Sequence, residues 1–141
     1  MKIPGCLSVT VAILLLGSLS PVDASQAKEA AAVKAALRWL KLVDDGNYGE
    51  SWQSASAYFK SVIDNDRWQQ IISGVRWPLG TVLNRTQSST TYATELPGAP
   101  DGEYVVIQFD TSFENKRLGI ETVTPMKDPD GVWRVSGYFI K

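Results

Sequence analysis

There is no histidine in this chain, and its single cysteine, Cys6, stands close to the start. Those two absences remove the usual zinc and haem ligands, and with them the Ser-His-Asp and Cys-His nucleophiles. No glycine-rich loop of phosphate-binding spacing follows any strand-like run. Charge of one sign is missing as well: the formal net charge is −1, which gives no electrostatic grip on nucleic acid or anionic lipid. Internal repeats and low-complexity linkers are lacking too. No cofactor, no metal and no nucleic-acid partner are expected.

Long apolar runs are absent except for one. Residues 7–16 are apolar, Lys2 gives the start a small positive charge, and Val22-Asp23-Ala24 ends in small residues at cleavage-site offsets. This is the pattern of a secretory signal peptide cut after Ala24. The run is too short to span a bilayer as a helix, so no stable membrane insertion is expected once the leader is removed. Cys6 precedes the run, the wrong place for a lipid-bearing cysteine. The expectation is a signal peptide over residues 1–24 and a single domain over residues 25–141, periplasmic or secreted. An exported domain without cysteine folds on packing alone.

What is present suffices for that. Apolar residues make up 44% of the chain and charged ones 21%, an ordinary globular composition for one domain. Residues 26–43 are Ala-rich, with Val33, Leu37 and Leu40 on one helical stripe and Gly46 placed as a left-handed cap. Asn47 with Glu50 has the spacing of a capping box, opening a second helix whose inward stripe is Tyr48, Trp52, Ala55 and Phe59. Asp64 caps a third, carrying Trp68, Ile71, Ile72 and Val75 and ending at Trp77-Pro78. Residues 81–92, rich in Thr and Ser, read as a polar edge strand, and residues 96–102 as a turn-rich loop.

The C-terminal third holds three more strands. Val105, Ile107, Phe109, Thr111 and Phe113 alternate with polar neighbours. A two-residue turn at Glu114-Asn115 pairs Phe113 with Lys116, which puts Phe109 opposite Ile120. A four-residue loop ending in Pro129-Asp130 before Gly131 then pairs Met126 with Gly131 and sets Trp133 opposite Thr124. Apolar residues agree on one face in this register, and Trp133 joins Phe109, Ile120 and Val135 there. The fold class is α+β: three N-terminal helices packed on a curved four-stranded antiparallel meander sheet.

Several segments carry a family resemblance: WLKLVDDGNYGESW, RWPLG, LPGAPDGEYVVIQF, TSFENK, ETVTP and DGVWRVSGYFIK. Together they resemble a bacterial secreted family, domain of unknown function 4019, over about residues 30 to 141. That family implies no activity. More loosely, helices followed by a curved antiparallel sheet resemble the nuclear-transport-factor-2-like cone, which hosts both enzymes and binding modules.

In the derived register Glu121 lies opposite Gln108 and Ser136, with Arg134, Tyr138 and Asp110 diagonal to it. Two readings stay open. This face is a pocket in which Glu121, Arg134, Gln108, Tyr138 and Ser136 bind a polar ligand, with Glu121 or Asp110 as general base. Or it is solvated, with an Arg134–Glu121 pair worth a few tenths of a kcal/mol, about the usual cross-strand scale. Asp44, Asp45, Asp64 and Asp66 sit at helix ends, where carboxylates cap, and match no calcium loop. Trp77, Trp68 and Tyr58 are expected in the core and not as an aromatic surface for a sugar or a partner. The sequence thus reads as a non-catalytic binding or interaction module of the envelope, for a small polar ligand or another envelope protein. The alternative is a small cone-fold enzyme or ligand carrier.

Overall fold

The structure is a computed structural model that describes residues 17–18 and 20–141. Residues 1–16 and 19 of the expected leader, with Lys2, Cys6 and the apolar run, lie outside the described residues, whereas Ala24 falls within the first helix. Among the described residues four helices and a short 3-10 turn precede a four-stranded antiparallel meander in the order β1-β2-β3-β4. The α+β class and the meander follow the sequence expectation. Among the described residues no helix is long and apolar enough to cross a membrane.

Helix α1 (Pro21–Asp44) lies across one face of the sheet and touches all four strands. Its buried stripe is Ala32, Ala35, Ala36, Trp39, Leu40 and Val43, spaced at three and four residues as one helical face requires. Alanines on that stripe let the helix axis approach the sheet closely. Leu37, expected inside, is instead turned outward and 46% exposed. Gly46 takes the expected positive φ of 78° after the helix.

The expected second helix is split into α2 (Tyr48–Gln53) and α3 (Ala57–Val62). The break is made by Ser56, fully buried. Its side chain accepts from Phe59 N while its own N–H donates to Val135 O at 2.9 Å, so the residue caps α3 and ties it to the sheet. Helix α4 (Asn65–Arg76) starts as expected, with Asp64 accepting from Arg67 N at 2.8 Å. Trp68, Ile72 and Arg76 are its buried residues. Trp77–Leu79 forms the 3-10 turn.

The strands are β1 (Val82–Ala93), β2 (Tyr104–Phe113), β3 (Lys116–Lys127) and β4 (Trp133–Ile140). Phe113 pairs with Lys116 as the two-residue turn demands, but β3 then gains a residue: Thr111 faces Gly119 and Phe109 faces Glu121, not Ile120. The cause is Gly119. A Cβ there would stand 3.1 Å from the Phe113 ring and 3.3 Å from Thr111 O, so only glycine admits the approach that makes the bulge. Every later residue of β3 changes face. Ile120 is turned out, 37% exposed, and Glu121 is turned in, 0% exposed.

The last hairpin differs more. Lys127 pairs with Trp133 and Glu121 with Ile140, with a second bulge at Ser136. The turn is longer than four residues because Asp128, buried, accepts from Arg134 Nη1 and Asp130 accepts from Val132 N. Gly131 supplies the positive φ, 82°, that the turn needs. Trp133 and Val135 still reach the core beside Phe109, as the sequence implied, whereas Leu118 and Phe139 lie on the outer face, 76% and 50% exposed.

Candidate functional site

The two bulges bring polar side chains onto the inner face at one end of the sheet. Glu121 comes from β3, Thr111 from β2, Tyr138 from β4 and Arg85 from β1, where it stands opposite Thr111. Arg85 Nε donates to Glu121 Oε1 at 2.7 Å and its Nη2 to Oε2 at 3.2 Å. Thr111 Oγ1 donates to Oε1 at 2.6 Å, and the Tyr138 hydroxyl donates to Oε2. A carboxylate offers about four lone-pair positions, and here four donor groups take them.

The network runs on into the helices. Arg85 Nη1 and Nη2 reach the two Asp44 oxygens at 2.7 and 3.0 Å, and Arg76 Nη2 reaches Asp44 Oδ1 at 2.8 Å. The end of α1 and the last turn of α4 are thereby joined to β1 and β3 through alternating charges. Arg76 is 6% exposed, with Phe113 beneath its guanidinium at 5.2 Å. Among the described residues its Nε and Nη1 have no hydrogen-bond partner.

Burial alone would push the Asp44 carboxyl up, but hydrogen bonds and charge from Arg85 and Arg76 outweigh it and hold it below the ordinary range. Burial, then the negative charge of Glu121, pushes the Tyr138 phenol well up, so it stays a donor. Burial opposes the charge of Arg85, yet Asp44 and Glu121 together raise its affinity for its proton.

A cleft of about 360 Å³ opens above this chain of charges, with Asp44, Tyr48, Arg76, Trp77 and Thr81 among its walls. Trp77 is 86% exposed, so the expectation that it packs in the core fails: the 3-10 turn directs it outward. A larger hollow of about 510 Å³ lies between α1 and β1, lined by Ala30, Val33, Leu37 and Thr90 among others. None of its lining residues is fully buried. Of these two, the smaller cleft is the one next to the buried charges. Among the described residues no group of three or more acidic, cysteine or histidine side chains could hold a metal ion.

The family model described as a protein of unknown function, DUF4019, matches residues 35–138. The chain belongs to this family. No curated protein and no solved structure matches it. The matched span contains the whole network in this DUF4019 chain, from Asp44 to Tyr138.

Of the side chains singled out from the sequence, the structure unites two, Glu121 and Tyr138. The other four stand elsewhere because the register shifted. Gln108 and Asp110 are exposed on the outer face. Ser136 sits at the bulge and donates to Thr124 O at 2.7 Å. Arg134 does not pair with Glu121; it holds Asp128 and Asp130 at 2.9 Å each. Asp44 is not merely a helix stop.

Arg85, Arg76 and Thr111 are not named as site residues from the sequence and Asp44 reads there only as a helix stop; three of the four had a signal. Arg85 is the sole charged residue in an otherwise polar strand, and Arg76 and Asp44 extend the buried stripes Trp68–Ile72 and Ala36–Leu40 by one more turn of four. Replacing Thr111 by Val removes one hydrogen bond to a charged group without changing shape. Denaturant melts should show a loss of about 1.5–3 kcal/mol, the range for such bonds. An unchanged midpoint would mean that the hydroxyl does not anchor Glu121.

Proposed function

We propose that this chain is an exported, non-catalytic binding module whose ligand site is the cleft beside Arg76 and Trp77. The observation that carries this reading is the enclosure of Glu121. It is the candidate base that faces the interior, it has no exposure, and all its acceptor positions are taken by Arg85, Thr111 and Tyr138. A general base must reach a proton on its substrate, and this carboxylate reaches only its own donors. Asp110, the other candidate, is on the opposite face of the sheet. Glu121 is therefore better suited to hold the sheet end rigid, so that the cleft above keeps one shape.

A small polar ligand fits a cleft at the low end of the usual volume range, roughly 300–1,000 Å³. A panel of small polar molecules should contain a class that raises the melting temperature of the wild type by mass action but leaves Trp77→Ala unmoved. Turnover of any panel member by the folded wild type would establish the enzyme reading in its place. Export has its own check. N-terminal sequencing of the protein from cells should read from Ser25, in the periplasm or the medium, and an intact Met1 start in the cytoplasm would refute it.

An envelope protein as partner is the second reading, favoured by Leu118, Ile120 and Phe139 on the outer sheet face. Its signature is a concentration-dependent complex that Phe139→Ser weakens and Trp77→Ala does not.

A further inference from the structure

We propose that the cleft recognises a small carboxylate carried on a flat ring, with the oxyanion taken by Arg76 and the ring laid against Trp77. This rests on the reading of the cleft as a ligand site and names its ligand class.

The first support is an imbalance of donors. A guanidinium carries five N–H groups. Among the described residues Arg76 makes one hydrogen bond, from Nη2 to Asp44, and its buried Nε and Nη1 have no acceptor. Buried polar groups are seldom left in this condition, and where one is, a missing partner is a ready explanation. Asp44 cannot supply the whole deficit of two acceptors, since its two oxygens already receive three donors, two of them from Arg85, and about one lone-pair position is left.

The second support is that Arg76 can be recruited without dismantling the network. If its guanidinium moves toward the cleft it lines, Asp44 keeps both bonds from Arg85 and Glu121 keeps all of its own. Phe113 covers one face of the guanidinium and Nε and Nη1 are buried where they stand, so an acceptor meets the N–H edge once the side chain has swung into the cleft. A carboxylate suits that edge: bonds between charged partners are roughly twice as strong as neutral ones, and two parallel oxygens fix orientation.

The third support is Trp77. At 86% exposure its indole offers a broad apolar surface, set by Pro78 in a 3-10 turn directly after Arg76. Aromatic surfaces pair with flat rings in offset or edge arrangements. Platform and charge are adjacent residues, so a short ligand spans both. A cationic ligand would share the aromatic attraction and the partly exposed Asp44, but it would meet the Arg76 charge.

Titration of the purified protein followed by tryptophan emission tests this, with Trp77→Ala isolating the signal of that residue. Benzoate should bind saturably. Acetate, which lacks the ring, and benzyl alcohol, which lacks the charge, should each bind at least about tenfold more weakly, the equivalent of one charge-assisted bond or one stacked ring. Trp77→Ala should lose benzoate affinity by about tenfold with an unchanged melting temperature, because an exposed side chain contributes little to folding. Arg76→Lys keeps a charge for Asp44 but loses the planar fork. It should weaken benzoate and leave benzyl alcohol as it was.

Benzyl alcohol binding as tightly as benzoate would overturn the oxyanion role, and choline binding more tightly would make this a cation site. In both cases sensitivity to Trp77→Ala would leave the cleft as a ligand site and remove only the ligand class. Absence of benzoate binding up to millimolar concentration would also overturn the proposal. The wider panel then decides whether the cleft binds anything.

Discussion

Glu121→Gln is expected to lower stability by about 3–5 kcal/mol, the scale for removing one partner of a buried ion pair. The carboxylate is 0% exposed and Arg85 keeps 13% of its side-chain surface. The amide removes the charge facing Arg85 and replaces one acceptor oxygen by a donor. Four donor groups then face a side chain that can accept at one oxygen only. Arg85 retains Asp44 but must share it with Arg76, so one carboxylate faces two buried or half-buried cations. Arg85→Met should cost a similar amount by leaving Glu121 charged and unpaired. The double mutant should cost much less than the two single losses together, with a coupling of several kcal/mol as in other directly bonded buried pairs. Single losses below about 1 kcal/mol with no coupling are what an exposed pair gives, and would show that the network is wet.

The element order was readable because each element announces itself locally. Asp64 caps α4, Gly46 closes α1, and the polar strand 82–93 differs in composition from the apolar strands after it. Facing was readable where strand alternation continues from a tight turn, as in Phe113, Phe109, Ile107 and Val105. It failed beyond Gly119 because a single inserted residue reverses every later side chain, and counting from the turn assumes that none is inserted. Gly119 itself was the warning: glycine inside a strand pattern marks a bulge or a close backbone approach. The second failure, at the 128–132 turn, has a tertiary cause. Asp128 is held by Arg134 and lies 3.4 Å from Ala57 N, and no local pattern encodes a partner 71 positions away.

The site was half legible for the same reason. Glu121 and Tyr138 were named as neighbours of each other, which they are, but their other partners were not, because Arg85, Asp44 and Arg76 belong to other elements and meet only in three dimensions. The general signal is a charged residue at the next helical repeat of a buried stripe. Hydrophobic periodicity ignores such residues, although burial of a charge requires a partner and so implies a second one elsewhere.

Asp44 gives the sharpest test of whether these charges act as one unit. Its side chain keeps 23% of its surface, while the Arg76 side chain that depends on it keeps 5%. Asp44→Asn therefore removes a partly wet group but strands a dry one. About 3 kcal/mol is expected, at the low end for broken buried pairs because water reaches the aspartate side. The effect should also depend on pH. The Asp44 carboxyl is held below its ordinary value of 3.8, so the folded state binds that proton less readily than the unfolded one. Its contribution is fully present above that value and disappears as pH falls through the lower folded value. Melts of the two proteins should differ most near neutrality and converge in acid, as wild-type Asp44 itself becomes neutral. A gap that stayed constant through the acid range would mean that Asp44 contributes by shape and hydrogen bonding alone. Arg76 would then not depend on its charge.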